Sequence, residues 1–356
     1  MRGIPAAARS SGTPCVAAVQ RANIGQRGHL QRKTAMAMMH GLTERRRTMN
    51  TSPAIEVADG RAASRRATAA AIGSIVLWCA SGVCYRAGAE ILGDMPYLSV
   101  SCATGVLTIM VLDAARGRSV MDLLRPPLRV MVAGFFGVAL YSVMLATAMG
   151  LADERDIGHV MLLNYLWPIW IVLLGLCLWP QRTAPVPAVC GALLGFAGVV
   201  MARGWSVLEQ RPASLWPHVL AGAGGFMWAL YSVLLRRWEI PPERGGSTFH
   251  FVVCAIMAAM LGAARGQWQW AAVTRPEALL LTAFAGAGPV GLAYYWWEIG
   301  MKRGAVQFIA TASYFIPVGS MLLIGLFYRE AMSPMLIPGA LLVAAGAWVS
   351  GKAGAR

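Results

Sequence analysis

The sequence predicts an all-α membrane protein whose ten transmembrane helices form two five-helix repeats of opposite orientation. Three observations predict this. The 356 residues are 57% hydrophobic and only 13% charged, with a mean hydropathy of +0.55, too apolar for an ordinary soluble domain. From about residue 67 the chain divides into apolar runs of roughly 18–25 residues, each able to cross about 30 Å of hydrocarbon at 1.5 Å per residue. Short motifs also recur between the two halves in a nearly constant register.

The runs are α1 67–91, α2 95–113, α3 128–150, α4 157–179, α5 184–204, α6 216–238, α7 247–265, α8 276–301, α9 304–328 and α10 333–351. Glycine, proline and charge punctuate them. "GDMP" separates α1 from α2, "ARGR" closes α2, and "ADERD" divides α3 from α4. "PQRTAP" precedes α5, "PPERGG" precedes α7 and "TRPE" opens α8. Such short connections leave little room for an active site outside the membrane, so the function belongs within the bilayer.

Net charge +15 would suggest nucleic acid in a soluble protein, but its distribution gives it another meaning. Residues 1–66 carry twelve Arg or Lys against three acids and lack apolar periodicity, which predicts a basic, disordered cytoplasmic leader. It has no apolar signal-peptide core. Two other readings stand beside this one: an organellar transit peptide, and a start codon assigned too early, since Met36, Met38, Met39 and Met49 offer later starts. Beyond the leader, alternate loops and the C-terminus carry twelve Arg or Lys and the opposite set six. The positive-inside rule then places both termini in the cytoplasm. Six of the seven cysteines lie in apolar runs with no CxxC pair and read as packing residues.

The repeat is visible in four places. "GALLGFAGVV" in α5 resembles "GALLVAAGAW" in α10. "NYLWP" in α4 matches "SYFIP" in α9 with the tyrosines 149 residues apart, and Trp78 and Arg86 in α1 match Trp228 and Arg236 in α6 at an offset of 150. The halves are therefore 67–204 and 216–351. Five helices is an odd number, so the second half enters from the opposite side, as in many secondary transporters.

Proline inside a helix lacks an N–H and displaces the carbonyl four residues earlier. Pro168 and Pro317 should free the carbonyls of Asn164 and Ser313, and such groups must face protein or water rather than lipid. Around them stand rings with polar tips: Trp78, Tyr141, Tyr165, Trp167, Trp228, Tyr231, the run Tyr294 to Trp297, and Tyr314. These suit a partly apolar solute. An interfacial belt accounts for Trp179, Trp205, Trp216, Trp238, Trp268, Trp270 and Trp348.

Intramembrane charge is scarce, and a charge or proton role falls to Arg86, Glu298 and His159. Arg86 has Glu90 one turn later and fits a snorkelling pair or a contact for a substrate carboxylate. Glu298 fits an interfacial carboxylate or a proton relay. His159 and His250 sit at helix ends and read as wet. "GAGPVG" (286–291) matches a dinucleotide fingerprint, yet no strand precedes it; close helix packing and a kink at Pro289 explain it. No nucleophile–base pair, paired acids or HExxH motif suggests an enzyme.

Ten helices in inverted halves, "NYLWP", "YYWWEIG" followed by "SYFIPVGS", and the closing "GALLVAAGAWV" together resemble the drug/metabolite transporter superfamily, nearest its bacterial aromatic amino-acid exporters. The resemblance spans about residues 67–351. It implies a basket of helices around a central hydrophobic cavity lined from α1, α3, α4, α6, α8 and α9. It also implies export of aromatic and other neutral amino acids across the inner membrane by alternating access, with Trp78, Tyr141, Tyr165, Trp167, Trp228 and Tyr314 at the cavity wall. Glu298 departs from the uncharged amide of that pattern, which leaves the coupling open. The residues assigned to the cavity are these six with Asn164, Tyr231, Tyr294 and Ser313; Pro168, Pro289 and Pro317 are the hinges. The expected partners are small-molecule amino acids and the lipid bilayer, with no cofactor, no metal and no nucleic acid, in a monomer. Two alternatives remain: a drug or cation carrier of the same fold, and a membrane sensor or assembly subunit acting through the leader.

Overall fold

The computed structural model describes residues 53–117, 119, 124–153, 156–178, 184–204, 214–240 and 246–354. Most of the leader, with Trp179, Trp205 and several loop arginines, lies outside them. The chain divides into two units, 1–61 and 62–356. In the first, residues 53–61 are helical. The second contains the membrane-spanning helices.

Every element is helical among the described residues. α1 (Pro53–Cys79) turns at Ala80 and resumes as Ser81–Leu92. α2 (Asp94–Ala114) follows at once, because Gly93 adopts φ +85°, a left-handed conformation open to glycine at no steric cost. α3 comprises Leu128–Gly134, a π-helical segment Phe135–Leu140 and Tyr141–Leu151. α4 is broken into Ile157–Asn164 and Trp167–Leu178. α5 (Pro185–Arg203), α6 (Trp216–Arg237) and α7 (Ser247–Ala264) are continuous. α8 joins Pro276–Ala285 and Ala293–Arg303 through a second π-helical segment, Gly286–Leu292. α9 is broken into Val306–Ala312 and Phe315–Tyr328.

Nine of these spans have at least 18 residues and enough apolar character to cross a bilayer. α10 (Leu336–Gly351) has 16, about 24 Å of helix, shorter than its expected run and continued by the 3-10 turn Lys352–Gly354. Outward-facing apolar side chains such as Val76, Leu107, Leu280, Phe327 and Leu341 are more than half exposed, as lipid contact requires. Trp216, Trp270 and Trp348 are also exposed, in keeping with an interfacial belt.

Irregular backbone recurs in both halves. The breaks at Tyr165 and Tyr314 fall at the predicted positions in α4 and α9, and the two π-helical segments occupy matching places in α3 and α8. Direction can be read from contacts. Trp78 of α1 and Trp228 of α6 touch, with ring centroids 6.0 Å apart. Arg86 meets Glu330, just past the end of α9, whereas Arg236 donates to the Gly304 carbonyl, just before its start. From neighbouring tryptophans, α1 and α6 therefore run to opposite ends of the bundle, named below the Arg86 end and the Lys302 end.

α5 and α10 form an antiparallel seam. A Cβ on Gly191 would stand 2.6 Å from the Gly346 carbonyl, and one on Gly198 would stand 2.7 Å from that of Gly339. The glycines that match in sequence thus pair crosswise. Each contact needs hydrogen in place of a side chain, which is how small residues bring membrane helices into backbone contact.

Candidate functional site

The centre of the bundle holds a cluster of aromatic rings with Trp228 as its hub, all of them buried except the half-buried Tyr294. Around Trp228 lie Trp78 at 6.0 Å, Tyr141 stacked at 5.9 Å, Trp167 at 6.4 Å, Tyr231 at 6.0 Å, Tyr294 at 5.2 Å and Trp297 stacked at 5.8 Å between centroids. The separations fall within the attractive range for ring pairs. Six helices carry these side chains or their supports, since Phe251 of α7 packs edge-on against Tyr294 at 4.8 Å.

The irregular helices place the rings. Tyr141 follows one π-helical segment directly, and Tyr294 follows the other by one residue. A π turn adds a residue to the helical ladder and re-aims what comes after it. The first segment lies where α6 and α7 press close: a Cβ on Gly137 would approach the Met227 carbonyl at 2.9 Å, and one on Gly134 would collide with the His250 ring. In the second, Pro289 cannot donate within the helix, and its carbonyl accepts from Trp78 Nε1 at 2.8 Å. That bond ties α1 to α8 and fixes the indole. Glycines on both sides let α2 come close: a Cβ on Gly286 of "GAGPVG" would stand 2.8 Å from the Ser101 carbonyl, and one on Gly105 of α2 would stand 2.7 Å from Val290.

At the α4 break, Asn164 is buried and its Oδ1 has no hydrogen-bond partner. The same side chain meets the Tyr141 hydroxyl. The Asn164 carbonyl faces Gly225 of α6, where a Cβ would stand 2.7 Å away. The α9 break differs from expectation: the Ser313 carbonyl accepts from Ile316 N–H at 2.9 Å. A tighter turn re-satisfies the group that Pro317 releases.

Six of the assigned residues (Trp78, Tyr141, Trp167, Trp228, Tyr231 and Tyr294) meet in one cluster. Asn164 borders it through Tyr141. Tyr165 belongs to the same apolar core, while Tyr314 packs with Phe196 in a separate group of α4, α5, α9 and α10 residues. Pro168 and Pro317 open the second segments of α4 and α9.

A polar network adjoins the rings at the Lys302 end. Glu298 accepts hydrogen bonds from Tyr231 Oη (3.0 Å), the Ser247 hydroxyl and Lys302 Nζ (3.2 Å). Both members of the ion pair are buried, with side chains 7% and 3% exposed. His250, read from sequence as wet, is fully buried: Tyr231 lies edge-on to it at 5.6 Å, and its Nε2 lies 3.0 Å from the Val130 carbonyl. Sequence position placed it at a helix start without revealing that α3 covers that start. Arg86 forms the expected pair with Glu90 (3.3 Å), reaches Glu330 (2.6 Å), and stacks over Tyr328.

Membrane-length helices broken around a buried aromatic and polar centre are the architecture of a membrane transporter. The chain belongs to the EamA-like transporter family of the drug/metabolite transporter superfamily, whose description matches residues 215–351. It is 33% identical over 232 residues to the aromatic amino acid exporter YddG of Ancylobacter novellus, covering 65% of this chain and 78% of the relative. It is 27% identical over 298 residues to the protein of that name from Salmonella typhimurium, covering 80% and 96%. A solved crystal structure, 29% identical, superposes with a TM-score of 0.71 over 82% of this chain and 99% of that one. The protein is a multi-pass membrane exporter of this fold.

Proposed function

We propose that the protein exports aromatic and other neutral amino acids across the bacterial inner membrane by alternating access. The halves 67–204 and 216–351 act as inverted repeats around a central cavity, with both termini in the cytoplasm. The antiparallel course of α1 and α6, the crosswise glycine seam and the recurring π segments support the inversion. Arg129, Arg236, Lys302 and Arg303 lie toward the Lys302 end, which supports that end as cytoplasmic.

The observation that carries the substrate reading is the cluster centred on Trp228. A flat apolar side chain can replace ring–ring contacts with equivalent ones, so an aromatic amino acid enters without leaving a void. Its ammonium needs acceptors, and Asn164 Oδ1 supplies an unused one beside the rings. A carrier of quaternary cations would need a carboxylate free to face them. Glu298, next in sequence to Trp297, is already ion-paired with Lys302. We read it as a clamp joining α6, α7 and α8 rather than as a proton carrier.

The test is counterflow of labelled phenylalanine, threonine and choline in proteoliposomes, with and without a pH gradient. Phenylalanine and threonine counterflow is expected, choline counterflow is not, and the pH gradient should change the rates less than twofold. Trp228→Ala should lower phenylalanine counterflow at least tenfold. Choline movement without amino-acid movement would replace this reading with a cation carrier.

A further inference from the structure

We propose that Asp156, His159 and His218 form a transition-metal site of the Zn²⁺ type, tying the start of α4 to the start of α6 at the Arg86 end. Asp156 and His159 are three residues apart and His218 is 59 residues beyond His159, yet one ligand atom from each lies within 4.8 Å of the others. The two imidazole rings have centroids 6.0 Å apart. Asp156 is 2% exposed and His218 7%.

The nitrogens are set up as ligands. His218 Nδ1 is 2.8 Å from the Ser214 carbonyl. A carbonyl only accepts, so Nδ1 carries the proton and donates, which leaves the lone pair on Nε2. That Nε2 is buried without a hydrogen-bond partner, as is His159 Nδ1. Buried polar atoms ordinarily find partners, and two orphan imidazole nitrogens beside one carboxylate point to a missing common partner. Two imidazoles and a carboxylate make the three-protein-ligand set of open zinc sites, where water takes the fourth place. A backbone carbonyl on the far nitrogen is the outer contact that fixes a ligating imidazole. Ligands at tetrahedral zinc stand roughly 3.4 Å apart, given bonds of about 2.0–2.2 Å. The three groups therefore need a closing movement of about 1.4 Å or less.

The site would join residues of the two halves. Asp156 and His159 belong to the first half and His218 to the second. If the halves move as proposed above, a bound metal fixes a distance that transport must change. Metal binding itself does not rest on that reading.

ZnCl₂ titrated calorimetrically into the chelator-treated, tag-free full chain in detergent is the test. One ion per chain is expected, with affinity reduced at least tenfold in the His159→Gln/His218→Gln variant. Absence of binding by the wild type, or equal affinity in the double variant, overturns the site; the latter would assign binding to His29 or His40 of the leader. Should that variant not fold, Co²⁺ absorption of the wild type decides: intense tetrahedral bands support the site, and weak octahedral bands overturn it. Zn²⁺ should also slow phenylalanine counterflow at least tenfold in the wild type alone. Failure of all counterflow would sink the proposed substrate, while the titration would still decide the metal.

Discussion

At the Lys302 end, Glu298 meets Lys302 at 3.2 Å with both side chains under 10% exposed. At the Arg86 end, Arg86 reaches Glu330 at 2.6 Å with both more than 40% exposed. The longer contact is the one expected to matter more. Exposed pairs contribute about 0–1 kcal/mol, because water screens them and ordering two side chains opposes them. Removing one partner of a buried pair costs about 3–5 kcal/mol, mostly from the charge left behind. The two ends thus differ in how firmly they are held, and distance does not rank them.

The largest effect should come from Glu298→Ala, which takes a buried counterion from Lys302 and an acceptor from Tyr231 and Ser247. We expect a loss of about 3–5 kcal/mol, visible as a large fall in thermal unfolding temperature in detergent. A drop no larger than that of Arg86→Ala would erase the contrast. Replacing both partners, as in Glu298→Gln/Lys302→Met, removes both formal charges while Gln keeps hydrogen-bonding atoms near the two hydroxyls. This variant should recover more than half of the loss.

Asp94 provides an intermediate case at the Arg86 end. It accepts from Gln267 at 2.6 Å and pairs with Arg265 at 3.4 Å, with the side chains of the ion pair 9% and 33% exposed. Asp94→Ala should cost about 1–3 kcal/mol by leaving a partly buried amide and guanidinium short of an acceptor. An effect equal to that of Glu298→Ala would make burial the wrong variable. Arg86→Ala should be smallest, about 0–1 kcal/mol, and its effect should fade further at high salt. A salt-independent loss would instead assign the stabilisation to stacking over Tyr328, whose ring centroid is 3.9 Å from the guanidinium carbon.

Much of the fold is legible because hydropathy, proline and repeat register all act locally along the chain. Pro168 and Pro317 announce the breaks in α4 and α9 by removing a donor each. The π segment of α3 has no such marker. It contains no proline, and its setting depends on Gly134 and Gly137 meeting His250 and Tyr231, more than 90 residues later in the sequence. Trp78 and Trp228 could be matched by their common register, but their contact required knowing that the halves cross at that depth. His218 gave no sequence signal. Its relation to His159 exists only because α4 and α6 begin side by side, and a single histidine near a helix start looks like any other.

The indoles of Trp78, Trp167, Trp228 and Trp297 also form an optical assembly. Rings 5.2–6.4 Å apart couple their excited states and share excitation energy. Their fixed, chiral arrangement should give a strong near-ultraviolet circular dichroism signal, of the kind lost when specific packing loosens. A solute entering between any two rings would alter the signal of all four. The protein therefore carries its own reporter of occupancy, readable without a label.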